Sequence, residues 1–531
     1  MERKILISVV TMLGLVSCIR NTVPYPTIVP EVKSIEVTEA ASIDINASKR
    51  EISIVLNEDA DITNVSIGNA VLEPEMTKSE PAMSGSFDLS APQTFVLETY
   101  QFYNWTISAT QTIDRYVQVA GQIGQCVIDE VNCRVIIYVS PKADLSNIKV
   151  LSYRFGPAST TTCEPDLTTI SNFTTERTIK VTRFGKTADW HVFVEKSESV
   201  VNFSSVDAWT RVAWLYASGI AGSDCGFRYR KAGEADWTDV PKSEVQVDGG
   251  SFKACIEGLD PETGYECVAY CGSDQSEVRS FTTEGEMQLP NAGFEVYSKA
   301  ESANYYSWFA EGSAFTSKWW DSGNAGSTMV GASASICTPD TQEKSEGKAS
   351  ARLNSRYVVI KFAAGNLFSG EFSGLVGTSG GIVDFGRPFT LRPRKLVFSM
   401  KYECGKIDYV NGYPDNDPVK IGDPDRCNVY IALGDWDYRK YGGTKDSPVR
   451  VNTTKKETFF DSNSENVIAY GTYVRSTSTE GWIEVEIPLE YRTTSRIPTH
   501  IIVSCAASML GDYFTGSSSS TLWIDDMRLV Y

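Results

Sequence analysis

Histidine is nearly missing from this chain: only His191 and His500 occur in 531 residues. A serine or cysteine nucleophile working through a histidine base would have to use His500, because His191 sits beside Trp190 in a strand-like run, and no nucleophile motif accompanies either. There is no Cys-x-x-Cys pair, which together with the missing histidines argues against a zinc site. No glycine-rich phosphate loop precedes a helical pattern, so nucleotide chemistry of that kind is not indicated. Lys and Arg are also short, 49 against 67 Asp and Glu, and the net charge of −18 opposes binding to nucleic acid. Beyond the first 16 residues no run approaches the ~20 apolar residues of a spanning helix.

What is abundant is strand-forming and turn-forming material. The 23 Phe, 25 Tyr, 11 Trp and 40 Gly, with short alternating apolar runs, indicate an all-β chain. At about 100–200 residues per domain, its length calls for three to five domains.

The start reads as a secretory signal: Arg3 and Lys4, an apolar run from Ile5 to Val16, and small Ser17. Leu15-Val16-Ser17-Cys18 resembles the bacterial lipobox. That resemblance implies cleavage of residues 1–17, a diacylglycerol on Cys18, and a lipid-anchored life in the bacterial cell envelope, at the outer membrane. The following Ile-Arg-Asn-Thr-Val lacks the acidic signal of surface-exported lipoproteins, leaving both the periplasmic and the surface face open. Residues 18–34, with Pro24, Pro26 and Pro30, form a tether. The other cysteines number eleven and cannot all pair. Cys126 and Cys133, symmetric about Asp129-Glu130, are placed to face each other across a hairpin, as a disulfide or as two core thiols.

Two tandem copies of one module follow, at 35–112 and 113–198. Glu51-Ile-Ser-Ile-Val-Leu56 and Ala60 to Val65 recur 83 positions later as Arg134 to Val139 and Ala143 to Ile148, and Trp105 recurs as Trp190. Their alternating runs and turns resemble small Ig-like β-sandwiches, and the repeated Trp is expected to be core. In residues 199–285, Leu259-Asp-Pro261-Glu-Thr263-Gly-Tyr265 resembles the tyrosine corner of a fibronectin type III domain, with Tyr265 expected to hydrogen-bond back to the backbone.

Residues 286–531 open on Leu289-Pro-Asn291-Ala-Gly293-Phe294-Glu295 and close on Leu522-Trp-Ile524-Asp525-Asp526. These bookends resemble the paired first and last strands of jelly-roll carbohydrate-binding modules. The resemblance implies a jelly-roll β-sandwich and a structural calcium, with Glu295 and Asp525 as its ligands, the only cofactor anticipated. Ala364 to Phe372, Phe385 to Pro393 and Gly511 to Gly516 are similar to the carbohydrate metabolism domain (PCMD) of Bacteroidetes lipoproteins, which implies carbohydrate as the partner without assigning a reaction.

Glycoside hydrolysis needs no histidine, only two carboxylates set across a sugar; Asp321, Glu371, Asp384, Glu403, Asp435, Asp437 and Asp512 are the candidates. Sugar binding needs flat rings beside polar groups. Two segments hold both: Trp319-Trp320-Asp321, and Asp435-Trp436-Asp437-Tyr438, the latter in a Gly-rich loop where Trp436 and Tyr438 are expected to face water. Trp482 is a third candidate ring. Asp415, Asp417, Asp423 and Asp425 match no calcium-loop spacing and read as a polar loop. Carbohydrate binding through the C-terminal domain is the primary expectation. A two-carboxylate glycoside hydrolase and a structural or adhesive protein recognising another protein are the alternatives.

Overall fold

The computed structural model describes residues 27–299, 303–309, 318–358, 361–414 and 416–531. Residues 1–17, Cys18 and Asp415 lie outside the described residues, as does the tether up to residue 26. The chain is all-β and built of β-sandwich domains. It divides into two compact units. One holds residues up to 117 with 152–169 and 178–190, and the other holds 118–151, 170–177 and 191–531.

The first unit contains the sandwich of the first repeat. Its first strand, Glu31–Val37, begins inside the stretch read from sequence as tether and pairs antiparallel with Val65–Glu73. The facing sheet sets Glu51–Leu56 parallel to Phe102–Thr110. Glu51–Leu56 alternates exposed and buried, sending Ile52, Ile54 and Leu56 inward to meet Phe95 and Trp105. Trp190 of the second repeat is also buried, against Phe155 at 5.2 Å between ring centroids.

In the second unit, Arg134 pairs with His191 in parallel register, the counterpart of Glu51 with Thr106 in the first copy. The hairpin before it corrects the cysteine expectation. Asp129 pairs with Arg134 and Val127 with Ile136, so the turn is centred two residues later than sequence symmetry suggests. Cys133 therefore occupies the turn itself, at φ 51°, and its thiol points at the Glu130 carbonyl.

Residues 199–285 form two sheets around one core that includes Phe227, Phe252 and Tyr265. The Tyr265 hydroxyl accepts a hydrogen bond from the Asp260 backbone N–H at 2.9 Å, fastening the turn that leads into strand Gly264–Cys271.

The C-terminal domain packs a nine-stranded sheet on a five-stranded one. Neighbours in the larger sheet include Gly380–Phe385, Asn366–Val376, His500–Ala506, Cys427–Gly434 and Val467–Arg475. The five-stranded sheet has Thr521–Val530 at its centre. Val429, Ile431 and Leu433 point into the core between the sheets with Ile501, Val503 and Cys505. Tyr430, Ala432 and Ile502, on the other face, join a second apolar cluster. The bookends do meet, though the first is not a strand: Gln288 exchanges two hydrogen bonds with the backbone of Leu529, and Met527 N–H donates to the Ala292 carbonyl.

A polar clamp joins residues 199–285 to this domain. The buried Arg392 guanidinium binds Glu284 at 2.8 and 3.0 Å and the carbonyls of Ala208 and Thr494, and it lies over the Trp209 ring. Trp209 in turn packs on Tyr491 at 4.3 Å and donates to the Thr494 carbonyl. Removing one member of a buried ion pair strands the other charge. Glu284→Ala is therefore expected to lower unfolding free energy by about 3–5 kcal/mol, measured by urea denaturation followed by tryptophan fluorescence.

Candidate functional site

The outer face of the nine-stranded sheet is apolar, and one part of it is not covered. Three segments rise around that part: the turns from Gly323 to Ile336, the strand Lys361–Ala363, and the turn Gly511–Tyr513 with Phe514. Between them lies a cleft of about 460 Å³, within the ~300–1,000 Å³ of small-molecule sites. Its floor comes from alternate strand residues, Phe368, Tyr430, Asn428, Ser504 and Ala506, the outward set of the period-two pattern. Phe372, Leu375, Met509 and Phe514 form apolar walls, and Lys361 Nζ lies 4.1 Å from the Phe514 ring centroid.

Polar side chains are interspersed among them. Asn428 accepts from the Thr472 hydroxyl at 2.9 Å. Tyr430 stands directly between Ser504 and Thr472 across the three strands, and its ring stacks on Phe460 at 5.3 Å and 13°. Burial, and then the nearby Asp512 carboxylate, push the Tyr430 phenol pKa upward. Asp512 is the one acid that lines the cleft among the described residues, and no ion pair holds it there. Burial raises its carboxyl from 3.8 to about 6. A group with this pKa carries its proton in mildly acidic solution and can then donate a hydrogen bond.

The residues singled out from sequence go elsewhere. Trp436, expected to face water, is only 4% exposed. The chain turns back after Gly434 and lays the ring over the outer apolar cluster, near Phe460. Asp435 is held by Arg496 at 2.7 Å through both oxygens and by Asn466. Asp437 caps the short helix Tyr438–Tyr441 by accepting from Arg439 N–H, and the Arg439 guanidinium holds its carboxyl at about 2. Tyr438 alone stays exposed, so these four residues form no stacking platform. Trp320 is fully buried, donating to the Pro290 carbonyl, and Trp319 is half-buried against the main core. Asp321 is spent on the backbone N–H groups of Phe372 and Ser322, and burial raises its carboxyl pKa. Trp482 is half-buried.

Glu371 and Asp384 are direct cross-strand partners, yet each has its own arginine: Arg387 for Glu371, and Arg450 at 2.7 Å through two bonds for Asp384. They lie on the face opposite their neighbours Phe372 and Val383, which line the cleft. Asp425 is buried among the hydroxyls of Ser508 and Ser520, and Asp417 pairs with Arg426.

Glu295 and Asp525 meet at one turn, as the calcium expectation requires, but the donor set does not fit the ion. Both oxygens of Glu295 accept from Lys348 N–H at 2.9 Å, and Asp525 accepts the N–H groups of Ser345, Glu346 and Asp526. Amide hydrogens thus stand where a cation's charge would be. Among the described residues no group of three or more His, Cys, Asp or Glu is gathered for a metal, against the six to eight oxygens calcium takes.

Residues 293–530 match the family model described as "Putative carbohydrate metabolism domain" (PCMD). No curated protein matches the chain. Among solved structures, a "putative glycoside hydrolase" from Bacteroides thetaiotaomicron is 14% identical, with 96% of this chain and 98% of that one covered at a TM-score of 0.31. A second protein so described, from Bacteroides vulgatus, is 23% identical over 45% of this chain and 96% of its own, at 0.33. The surface glycan-binding protein PbSGBP-B from Prevotella bryantii is 9% identical over 96% and 99%, at 0.18. At such scores these likenesses carry no argument about chemistry.

Sequence reading passed over the cleft because its floor is spelled in alternate residues of separate strands. Asp512 was visible as an acid but not as the unpaired one. Because its folded pKa is raised, its contribution to stability is fully present below pH 3.8 and is lost as pH rises through about 6. Asp512→Asn is therefore expected to raise the thermal midpoint at pH 7 and to flatten the decline between pH 4 and 7, read by circular dichroism melts across that range.

Proposed function

We propose that this protein is a lipid-anchored component of a bacterial cell envelope that binds carbohydrate in the cleft of its C-terminal domain. The observation that carries the reading is the cleft itself. Its ring and aliphatic walls suit the C–H face of a sugar, and Asp512, Asn428 and Ser504 suit its hydroxyls. The PCMD match over 293–530 supports the same ligand class. Binding is preferred to hydrolysis because a two-carboxylate mechanism needs two acids across the scissile bond, and Asp512 is the single acid lining the cleft among the described residues. The likeness of Leu15-Val16-Ser17-Cys18 to a lipobox supports the anchor, and no helix among the described residues is long and apolar enough to cross a membrane.

Glycan-array screening of the full chain, followed by calorimetric titration of the best ligand, tests the reading. Phe372→Ala and Asp512→Asn are each expected to weaken binding about tenfold or more, a loss of roughly 1.4 kcal/mol, while Tyr438→Ala leaves it unchanged. Failure of every glycan to bind would remove the carbohydrate reading. Separately, Cys18→Ala is expected to abolish labelling by radioactive palmitate and to move the protein out of the membrane fraction.

A further inference from the structure

Strands Cys225–Lys231 and Gly264–Cys271 run antiparallel, with Cys225 directly opposite Cys271. Gly272 N–H donates to the Asp224 carbonyl at 2.8 Å, and at the other end Ala232 N–H donates to the Gly264 carbonyl at 3.0 Å. Hydrogen-bonded pairs therefore fall on the even positions of the first strand. Hydrogen-bonded and non-hydrogen-bonded pairs alternate along an antiparallel ladder, which makes Cys225 and Cys271 a non-hydrogen-bonded pair, the kind whose Cα atoms approach to about 4.5 Å with side chains closest. That spacing lies within the ~4.4–6.8 Å a disulfide accepts. The two sulfur atoms lie 2.7 Å apart, both residues are buried, and the bridge would close a loop 46 positions long.

We propose that Cys225 and Cys271 are joined by a disulfide in the mature protein, formed by exchange with a disulfide-bearing oxidant such as glutathione disulfide or a thiol oxidase of the envelope. The Cys271 thiolate attacks one sulfur of the oxidant, giving a mixed disulfide and releasing one thiol. The Cys225 thiolate then attacks the Cys271 sulfur, closing the bond and releasing the second thiol. Both cysteines are oxidised, the oxidant's disulfide is reduced to two thiols, and the two cysteine protons end on those thiols. Because both sulfurs are buried in the finished module, exchange takes place as the chain folds.

The location gives the bond a structural consequence. Ile220, two residues after the end of strand Val212–Ser218, bridges to Ile123 of the preceding module, and Ala221 N–H donates to the Gln122 carbonyl. The Cys271 thiol lies against the Ile220 carbonyl. At the same junction a Cβ on Gly250 would sit 2.4 Å from the Gly124 nitrogen, so the backbones meet with no room to give. The bridge pins the strand end against which this junction is built.

The test uses the full chain refolded with glutathione disulfide, denatured, alkylated without reduction, digested and analysed by mass spectrometry. The expected result is a linked peptide pair containing Cys225 and Cys271, two hydrogens lighter than the separate thiols, that appears as two alkylated peptides only after reduction. Alkylation of both residues without prior reduction overturns the proposal. The Cys225→Ala/Cys271→Ala variant is expected to melt about 2–8 °C lower and to be insensitive to reductant. A wild-type melting midpoint that reductant does not move would also count against the bridge.

Discussion

The large sheet of the C-terminal domain is apolar on both faces, and much of the domain follows from the need to cover the second one. Strand Cys427–Gly434 sends Val429, Ile431 and Leu433 into the sandwich and leaves Tyr430 and Ala432 facing outward. The same alternation in His500–Ala506 and Asn366–Val376 adds Ile502 and Phe368. A bare apolar face of this size exposed to water would be unfavourable at roughly 25 cal/mol for each Å². Trp436 and Phe460 cover one part of it, and another part is the floor of the cleft.

Electrostatics divides the acids along the same line. The carboxylates that sequence reading ranked as candidates are mostly committed: Asp384 to Arg450, Glu371 to Arg387, Asp435 to Arg496, and Asp437 to a helix cap. Their charges are neutralised where they stand. Asp512 differs because burial raises its carboxyl pKa and no ion pair holds it among the described residues. A buried acid whose carboxyl pKa is raised costs stability at neutral pH.

Architecture was legible to the extent that it is local and periodic. The 83-residue repeat, the alternating strands and the Leu-x-Pro-x-Thr-x-Tyr run around Tyr265 can all be read along the chain, and the all-β sandwich fold agrees with them. The Cys126–Cys133 reading went astray because a hairpin's register is set by which residues pair, and symmetry about Asp129-Glu130 says nothing of that.

The amino-acid sequence by itself determined that this chain forms strands and where its modules repeat, since those properties reside in composition and in period-two spacing. Only the tertiary structure decided which rings are sealed and which face water, which carboxylates find an arginine, and which outward residues of three separate strands become one floor. Burial and pairing are set largely by neighbours remote in the chain: Trp436 lies against Phe460, Asp384 is held by Arg450, and Asp435 by Arg496.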